Sequence, residues 1–249
     1  MTISLIIPCY NEEANIQKGV LDRIGNYTGD RDYFKEVIIV DDGSQDDSAA
    51  IVKKEYLTHF PKFRLIENAH AGKGEAVISG IEAAKGEYVL FADIDLATPL
   101  EEAEKLMEKA NNEFPIVIGS RKSARAGAPF LRKVQSVGFI IIRDIFLGLG
   151  GLKDTQCGFK LFRKKEALEI ISRLAVFEKN HVVDGSSVSA GFDLEFLYIA
   201  RLLGYGIAEV PVRWKHVETK NVKFIKDTIE TLKDLTRIKY YSMTGKYKK

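Results

Sequence analysis

At 249 residues, 45% of them hydrophobic and 29% charged, the chain has room for one large domain or two small ones with a substantial core. A net charge of +2 is too mild to argue for nucleic acid as a partner. The most lipid-like region, Val134 to Leu152, is split by Arg143 and Asp144. It leaves uncharged stretches shorter than the roughly 20 residues of a spanning helix, so contact with a membrane surface is expected rather than a crossing.

The chain starts Met1-Thr2-Ile3-Ser4 and enters an apolar strand at once. That start predicts no signal peptide or N-terminal anchor and a cytosolic location. Cys9 and Cys157 form neither a CxxC nor a CxxxC pair, so both are expected as reduced thiols. Strands are predicted at Ser4–Pro8, Val37–Val40, Phe63–Ile66 and Tyr88–Phe91, with helices from Glu12, after Ser44 and from Gly74. Short apolar strands alternating with helical patterns predict an α/β fold with a mostly parallel central sheet and flanking helices. Ligands of such sheets bind at the carboxyl ends of the strands.

In the first helix Asn11 is the expected N-cap, and Ile16, Val20 and Ile24 form a stripe facing the sheet. Ser44 followed by Asp47 echoes a capping box for the second helix. Beyond a basic loop (Arg121, Lys122, Arg125) come a long helix from Leu131 to Leu149 and a strand near Phe159–Phe162. A helix from Lys164, a helix from Asp193 to Leu203, a strand near Ile207–Val212 and a last helix from about Val222 follow.

Acidic residues emerge from three successive apolar runs: Glu12 after IIPCYNEE begins its turn, Asp41 and Asp42 in VIIVDDGSQDDS, and Asp93 and Asp95 in FADIDLATP. Carboxylates at adjacent strand ends accept hydrogen bonds from a base N–H or a ribose hydroxyl. If the strand continued past Phe91, Asp93 and Asp95 would point to one side and repel, so a positive charge should sit between them. A hard divalent cation fits that requirement, because Mg²⁺ takes one or two carboxylates together with substrate phosphates. HAGKGEA, residues 70 to 76, does not satisfy the P-loop pattern, but it offers Lys73 as a charge near a phosphate.

The second half combines cations and apolar residues. Arg132, Lys133 and Arg143 share a helix with Val134, Gly138, Ile141 and Ile145, an arrangement suited to the membrane interface. The last helix carries Ile225, Ile229, Leu232 and Leu235 with Lys223, Lys226, Lys233 and Arg237 around them, and the chain ends in basic residues. Asp193 and Glu195 either assist an acceptor site or favour the helix dipole.

SLIIPCYNEE, IIVDDGSQDDS, AGKGEAVISGIEAAKGEYVLFADIDLATP, VIGSR, DTQCGFKLF and GFDLEFLYIARLLGYGIAEVPVRW, in that order, resemble inverting family 2 glycosyltransferases of the glycosyltransferase A fold. Among these they look most like the polyprenyl-phosphate (dolichyl-phosphate) sugar synthases, over about residue 3 to about residue 220. The resemblance implies a glycosyltransferase A domain over 1–221, with a Rossmann-like nucleotide-sugar half at 1–121 and an acceptor half at 122–221. The basic amphipathic helix and tail at 222–249 lie beyond it. By the same resemblance, Pro8, Tyr10 and Glu12 hold the nucleoside, and Asp41 and Asp42 contact base and ribose. Asp93 and Asp95 bind Mg²⁺ or Mn²⁺. Arg121 sits near donor or acceptor phosphate, Asp154 is the base or an orienting acid, and Arg132 and Lys220 are candidate lipid-phosphate contacts.

The TQCGFK form is more similar to the glucosyl branch than to the mannosyl TSGFR form, which places UDP-glucose ahead of GDP-mannose as donor. Ile94 stands where small residues are common, and Ala97 where some mannosyl members have a polar residue. The implied reaction moves a hexose to a polyprenyl or dolichyl phosphate at the cytosolic membrane face, with a homo-oligomer or a membrane-protein partner left open. The competing readings are a transferase of the same fold acting on a glycan or protein, and a non-catalytic subunit that binds a lipid carrier.

Overall fold

A parallel sheet covered by helices on both faces needs strands that are apolar on both sides, and the observed strands meet that requirement. The structure is a computed structural model that describes residues 1–121, 130–177, 190–215 and 224–247, without the side chains of 130–137, 139, 190 and 224–228. Its strands are β1 Ile3–Cys9, β2 Phe34–Asp41, β3 Phe63–Glu67, β4 Tyr88–Ala92, β5 Ile116–Ser120, β6 Phe159–Arg163 and β7 Ile207–Pro211. They form one seven-stranded sheet in the order β3-β2-β1-β4-β6-β5-β7. All described pairings are parallel except those of β6, which runs antiparallel to both β4 and β5.

Alternate residues feed two cores. Ile6, Ile38, Val40, Val89, Phe91, Ile116, Ile118 and Phe162 pack on one face beneath α5 (Lys73–Ala83), α8 (Lys164–Ile171), α9 (Ala190–Leu202) and α10 (Phe224–Met243). Ile3, Leu5, Ile7, Val37, Ile39, Leu90, Val117 and Leu161 pack on the other, beneath α1 (Glu13–Gln17), α2 (Val20–Gly29) and α6 (Ala103–Lys109). The helix expected from Glu12 is two helices, because Gly19 adopts φ 73 between them. The expected stripe nevertheless holds: Ile16, Val20 and Ile24 are all buried, each contributing about 1.5–3 kcal/mol.

Both expected caps are corrected. Asn11 has φ 54 and lies before the turn, and its Oδ1 accepts the Gln45 amide at 2.7 Å. Ser44 Oγ accepts the Asn11 amide at 2.9 Å, and the helix it was to cap starts four residues later at α3 (Ser48–Ile51). That helix continues through a π turn, Val52–Tyr56, into α4 (Leu57–His59). Two elements were not expected at all, β5 and α6. The long second-half helix is α7 (Phe130–Leu147). The basic loop residues Lys122 and Arg125, together with Lys220 and the chain end at Lys248 and Lys249, lie outside the described residues.

A buried carboxylate ties the amino ends of the first strands together. Glu36 Oε1 accepts hydrogen bonds from Ser4 Oγ at 2.7 Å and the Lys85 amide at 2.6 Å, and Oε2 accepts one from Arg64 at 2.5 Å. Burial alone would raise this carboxyl group's pKa; the bonds from Ser4, Arg64 and Lys85 outweigh it and hold the group below the usual carboxylate range. A lowered folded-state value means stabilisation that is complete above the unfolded value of about 4.3 and lost as pH falls through the folded value. Glu36→Gln should therefore cost about 1–3 kcal/mol at neutral pH. Its melting temperature should also fall less steeply than the parent's below about pH 5, as followed by thermal denaturation; parallel slopes would contradict the assignment.

Candidate active site

The parallel strands end at one edge of the sheet, and the reversed β6 begins there, so the two halves of the chain bring their polar turns together. From β1 come Pro8 near the strand end and then Tyr10, Asn11 and Glu12. Glu12 donates its amide to Ser48 Oγ at 2.8 Å and accepts Asn15 Nδ2 on Oε2 at 2.5 Å. The β1 and β2 turns are thus knitted to each other before any ligand arrives.

Asp41 and Asp42 have different surroundings. Asp42 is saturated by the neighbouring loop: its Oδ1 accepts the Ala71 amide at 2.9 Å and its Oδ2 the Gly72 amide at 2.8 Å. His70 Nδ1 lies 2.9 Å from the same Oδ2, and the His70 ring stacks on Tyr10 at 4.2 Å and 13°. Asp41 Oδ2 accepts the Ser44 amide at 3.1 Å, whereas its Oδ1 is buried with no hydrogen-bond partner among the described residues. A buried acceptor left open at a strand end is suited to a ligand N–H or O–H. Of the two acids, Asp41 has an oxygen to offer, and Asp42 organises the loop leading to Lys73.

Beyond Ala92 the chain leaves the strand. The Asp93 amide donates to Gly158 O at 3.2 Å, continuing the β4–β6 ladder by one step. Leu96 follows with φ 49, and Asp95 Oδ1 accepts the Ala97 amide at 2.9 Å. The Asp93 carboxylate lies over Gly158, where a Cβ would fall 2.1 Å from Oδ2, so glycine is required there for space. β4 ends at Ala92, so the two acids do not share a strand face as expected from the sequence; a positive charge meets one of them, Lys73 Nζ lying 2.5 Å from Asp93 Oδ1. Burial works against the Lys73 ammonium, but Asp93, with Asp193 and Asp95 behind it, outweighs burial and raises its pKa. Burial, with the Asp93 charge adding to it, pushes the Asp95 carboxyl up.

Lys160 extends this charge cluster. It is fully buried, donates to Asp193 Oδ1 at 2.7 Å, and shares the Phe91 ring with Lys73. Asp193 therefore faces the site, while Glu195 does not. The Glu195 carboxylate accepts the amides of Ala175, Val176 and Phe177 and the Tyr247 hydroxyl, and so anchors the chain end to α9.

Asp154 and Arg121 form a second centre. Asp154 Oδ2 accepts the Arg121 amide at 2.9 Å and Nε at 2.7 Å, and Oδ1 accepts Nη2 at 2.7 Å. Burial opposes the Arg121 charge; the Asp154 bonds outweigh it and raise the pKa further above the arginine range. The guanidinium also lies 5.9 Å from the Trp214 ring, and the neighbouring Ser120 Oγ is buried without a hydrogen-bond partner among the described residues. Arg132 falls in the first turns of α7, and its side chain is outside the described residues, as is Lys220. Arg143, read from sequence as an interfacial cation, is corrected: it is 1% exposed and turned inward. Sequence reasoning missed the spatial role of Gly158 and the stack of His70 on Tyr10. The glycine inside DTQCGFK was visible, but its neighbour across the sheet was not.

Residues 4–170 match the family model described as glycosyl transferase family 2. The dolichyl-phosphate beta-glucosyltransferase of Dictyostelium discoideum is 34% identical over 262 residues, covering 99% of this chain and 76% of that protein. The enzyme of the same name from Homo sapiens is 33% identical over 264 residues, covering 99% and 77%. Among solved structures, glucosyl-3-phosphoglycerate synthase from Mycobacterium tuberculosis, in complex with Mn²⁺, UDP-glucose and phosphoglyceric acid, superposes with a TM-score of 0.67. It is 20% identical and covers 96% of this chain and 80% of that one, a likeness of fold.

The division of labour between the paired acids is testable without substrate. Asp42→Asn places an amide N–H against the Ala71 or Gly72 N–H, so amide exchange at those two residues should quicken roughly 5- to 30-fold by hydrogen-exchange mass spectrometry. Protection in β4 should stay at the parent level. Unchanged exchange at residues 71 and 72 would contradict the anchoring role.

Proposed function

The chain belongs to glycosyl transferase family 2, and we propose that it transfers glucose from UDP-glucose to a dolichyl or related polyprenyl phosphate at a membrane surface. The observation that carries this reading is the meeting of two charged centres at one sheet edge. One holds Asp41, Lys73, Asp93 and Asp95; the other is the Asp154–Arg121 pair. The first suits a nucleoside diphosphate sugar and the second an anionic acceptor. The relatives named as dolichyl-phosphate beta-glucosyltransferases support glucose and a lipid phosphate as the two substrates. The UDP-glucose and Mn²⁺ complex of the structural neighbour supports the nucleotide.

Asp93 and Asp95 fit a divalent cation. They supply hard carboxylate oxygens just past the end of β4, and the absence of a side chain at Gly158 lets the Asp93 carboxylate sit at that edge. When bound, Mg²⁺ or Mn²⁺ supplies charge neutralisation for the diphosphate leaving group. Lys73 adds a fixed cation beside the same carboxylates, placed to attract the donor phosphates. Asp41 Oδ1 accepts a hydrogen bond from the nucleoside, and Tyr10 on His70 gives it a flat flank.

Asp154 holds Arg121 by Nε and Nη2, which leaves the outer edge of the guanidinium to an acceptor phosphate. A phosphomonoester has its second pKa at about 6, so it reaches the anomeric carbon already ionised and needs no strong general base. Asp154 accordingly orients Arg121, and attack opposite the leaving group inverts the sugar carbon.

Exposed Ile141, Ile142 and Ile145 on α7, and Ile229, Leu232, Tyr240 and Met243 on α10, supply an apolar surface suited to the membrane interface. Among the described residues no helix is long and apolar enough to cross a membrane.

The test is transfer of radiolabelled glucose from UDP-glucose, with GDP-mannose in parallel, to dolichyl phosphate with and without Mg²⁺ or Mn²⁺. Metal-dependent lipid-linked glucose is expected. Asp95→Asn and Gly158→Ala should each reduce it about 100-fold or more while the fold is retained. Product formation undiminished by a chelator would overturn the metal assignment, and transfer from GDP-mannose alone would overturn the donor.

A further inference from the structure

The turn that carries Asp154 is held by side chains from three separate elements. Arg201 of α9 donates to Gly148 O at 3.0 Å and Gly150 O at 2.7 Å. Glu209 of β7 accepts the Lys153 amide at 3.0 Å and the Asp154 amide at 2.8 Å. Arg143 of α7 donates through Nη2 to Leu152 O and through Nη1 to Thr155 Oγ1 at 3.4 Å, so its fork brackets Asp154 on both sides. Arg143 is steadied in turn by Asp144, which accepts Nε at 2.8 Å and Nη2 at 2.6 Å.

Burying an arginine is costly unless its hydrogen bonds are met, and a lysine cannot span two acceptors with a rigid fork. The core does not require this expense, since Leu149 and Leu152 already pack the turn against the sheet. What the bracket does fix is the Asp154 carboxylate, whose direction decides how Arg121 is presented. The opposite side of α7 exposes Ile141, Ile142 and Ile145. The helix that offers an apolar face outward is therefore the one that grips the catalytic turn inward.

We propose that Arg143 and Glu209 are positioning residues. Holding the 152–155 turn from α7 on one side and β7 on the other, they fix Asp154, and through it Arg121, at a set place relative to the surface that meets the lipid. This rests on the reading of Asp154 and Arg121 given above. The polar atoms of both residues are engaged by the turn and by Asp144, so their loss should leave donor binding intact and remove the alignment of the acceptor phosphate. Misplacement of a reacting group by about 1 Å costs on the order of 100-fold in rate.

Two measurements on the full chain test this. In hydrogen-exchange mass spectrometry without substrate, Arg143→Met and Glu209→Gln should each speed exchange of the Arg121 and Asp154 amides, with the Lys85 amide bound by Glu36 unchanged. Parent-like protection at residues 121 and 154 in both variants would overturn the proposal whatever the substrate proves to be. In the glucosyl-transfer assay each variant should lower kcat about 100-fold with the KM for UDP-glucose unchanged, and Arg143→Lys should restore only part of the loss. Combined with Asp154→Asn, neither should lower the rate further, because all act through one carboxylate. Additive losses, or parent-like kcat in folded Arg143→Met and Glu209→Gln beside an inactive Asp154→Asn, would overturn the positioning role alone. A fully active Asp154→Asn would overturn it together with the reading of the second centre. If Arg143→Met does not fold, Glu209→Gln and its double variant carry the same test.

Discussion

The close approach of β4 to β6 is the constraint on which the rest of the site depends. Six strands run one way and β6 runs back between two of them, so the turn before β6 lands at the carboxyl ends of its neighbours. The Asp93 amide reaches Gly158 O there, and the Asp93 carboxylate takes the space that a side chain at residue 158 would fill. One backbone contact thus joins the Asp93–Asp95 turn from the first half to the Asp154 turn from the second. Without the reversed strand, the two charged centres would have no shared edge.

Charge elsewhere in the molecule is placed by a stricter rule. Glu36, Glu195, Lys160 and Arg143 are all buried, and each is met by several hydrogen bonds or an opposite charge. Such matching is what a low-dielectric interior demands. Two polar atoms at the candidate site, Asp41 Oδ1 and Ser120 Oγ, are buried without a hydrogen-bond partner among the described residues, as are Tyr27 Oη, Tyr33 Oη and Glu166 Oε2 away from it. What sets the two site atoms apart is their place at the carboxyl ends of β2 and β5, where an arriving group can reach them.

Much of this was legible in the sequence, and most of the failures share a cause. The apolar runs of β1, β2, β3 and β4 and the buried stripe of the first helical segment follow from periodicity, whereas the charge expected between Asp93 and Asp95 presumes a strand that in fact stops at Ala92. The glycosyltransferase motifs add the family. Most of what escaped depends on partners distant in sequence. Asn11 looks like a cap but serves the neighbouring turn at Gln45. Arg143 looks like a surface cation because its acceptors, Leu152 O and Thr155 Oγ1, lie across a turn whose fold no local pattern describes. β5 is a five-residue run wholly buried between β6 and β7, the same length and burial as β4, so its absence from the expected strands reflects no difference in the local pattern.

The central claim is that the carboxylate edge of this sheet holds a nucleoside diphosphate through a divalent cation. Isothermal titration of UDP into the protein, with Mn²⁺ present and then with a chelator, tests it most directly. The account predicts binding that depends on the metal and is lost in Asp93→Asn. Equal UDP affinity with and without the metal, unaffected by loss of that carboxylate, would contradict it.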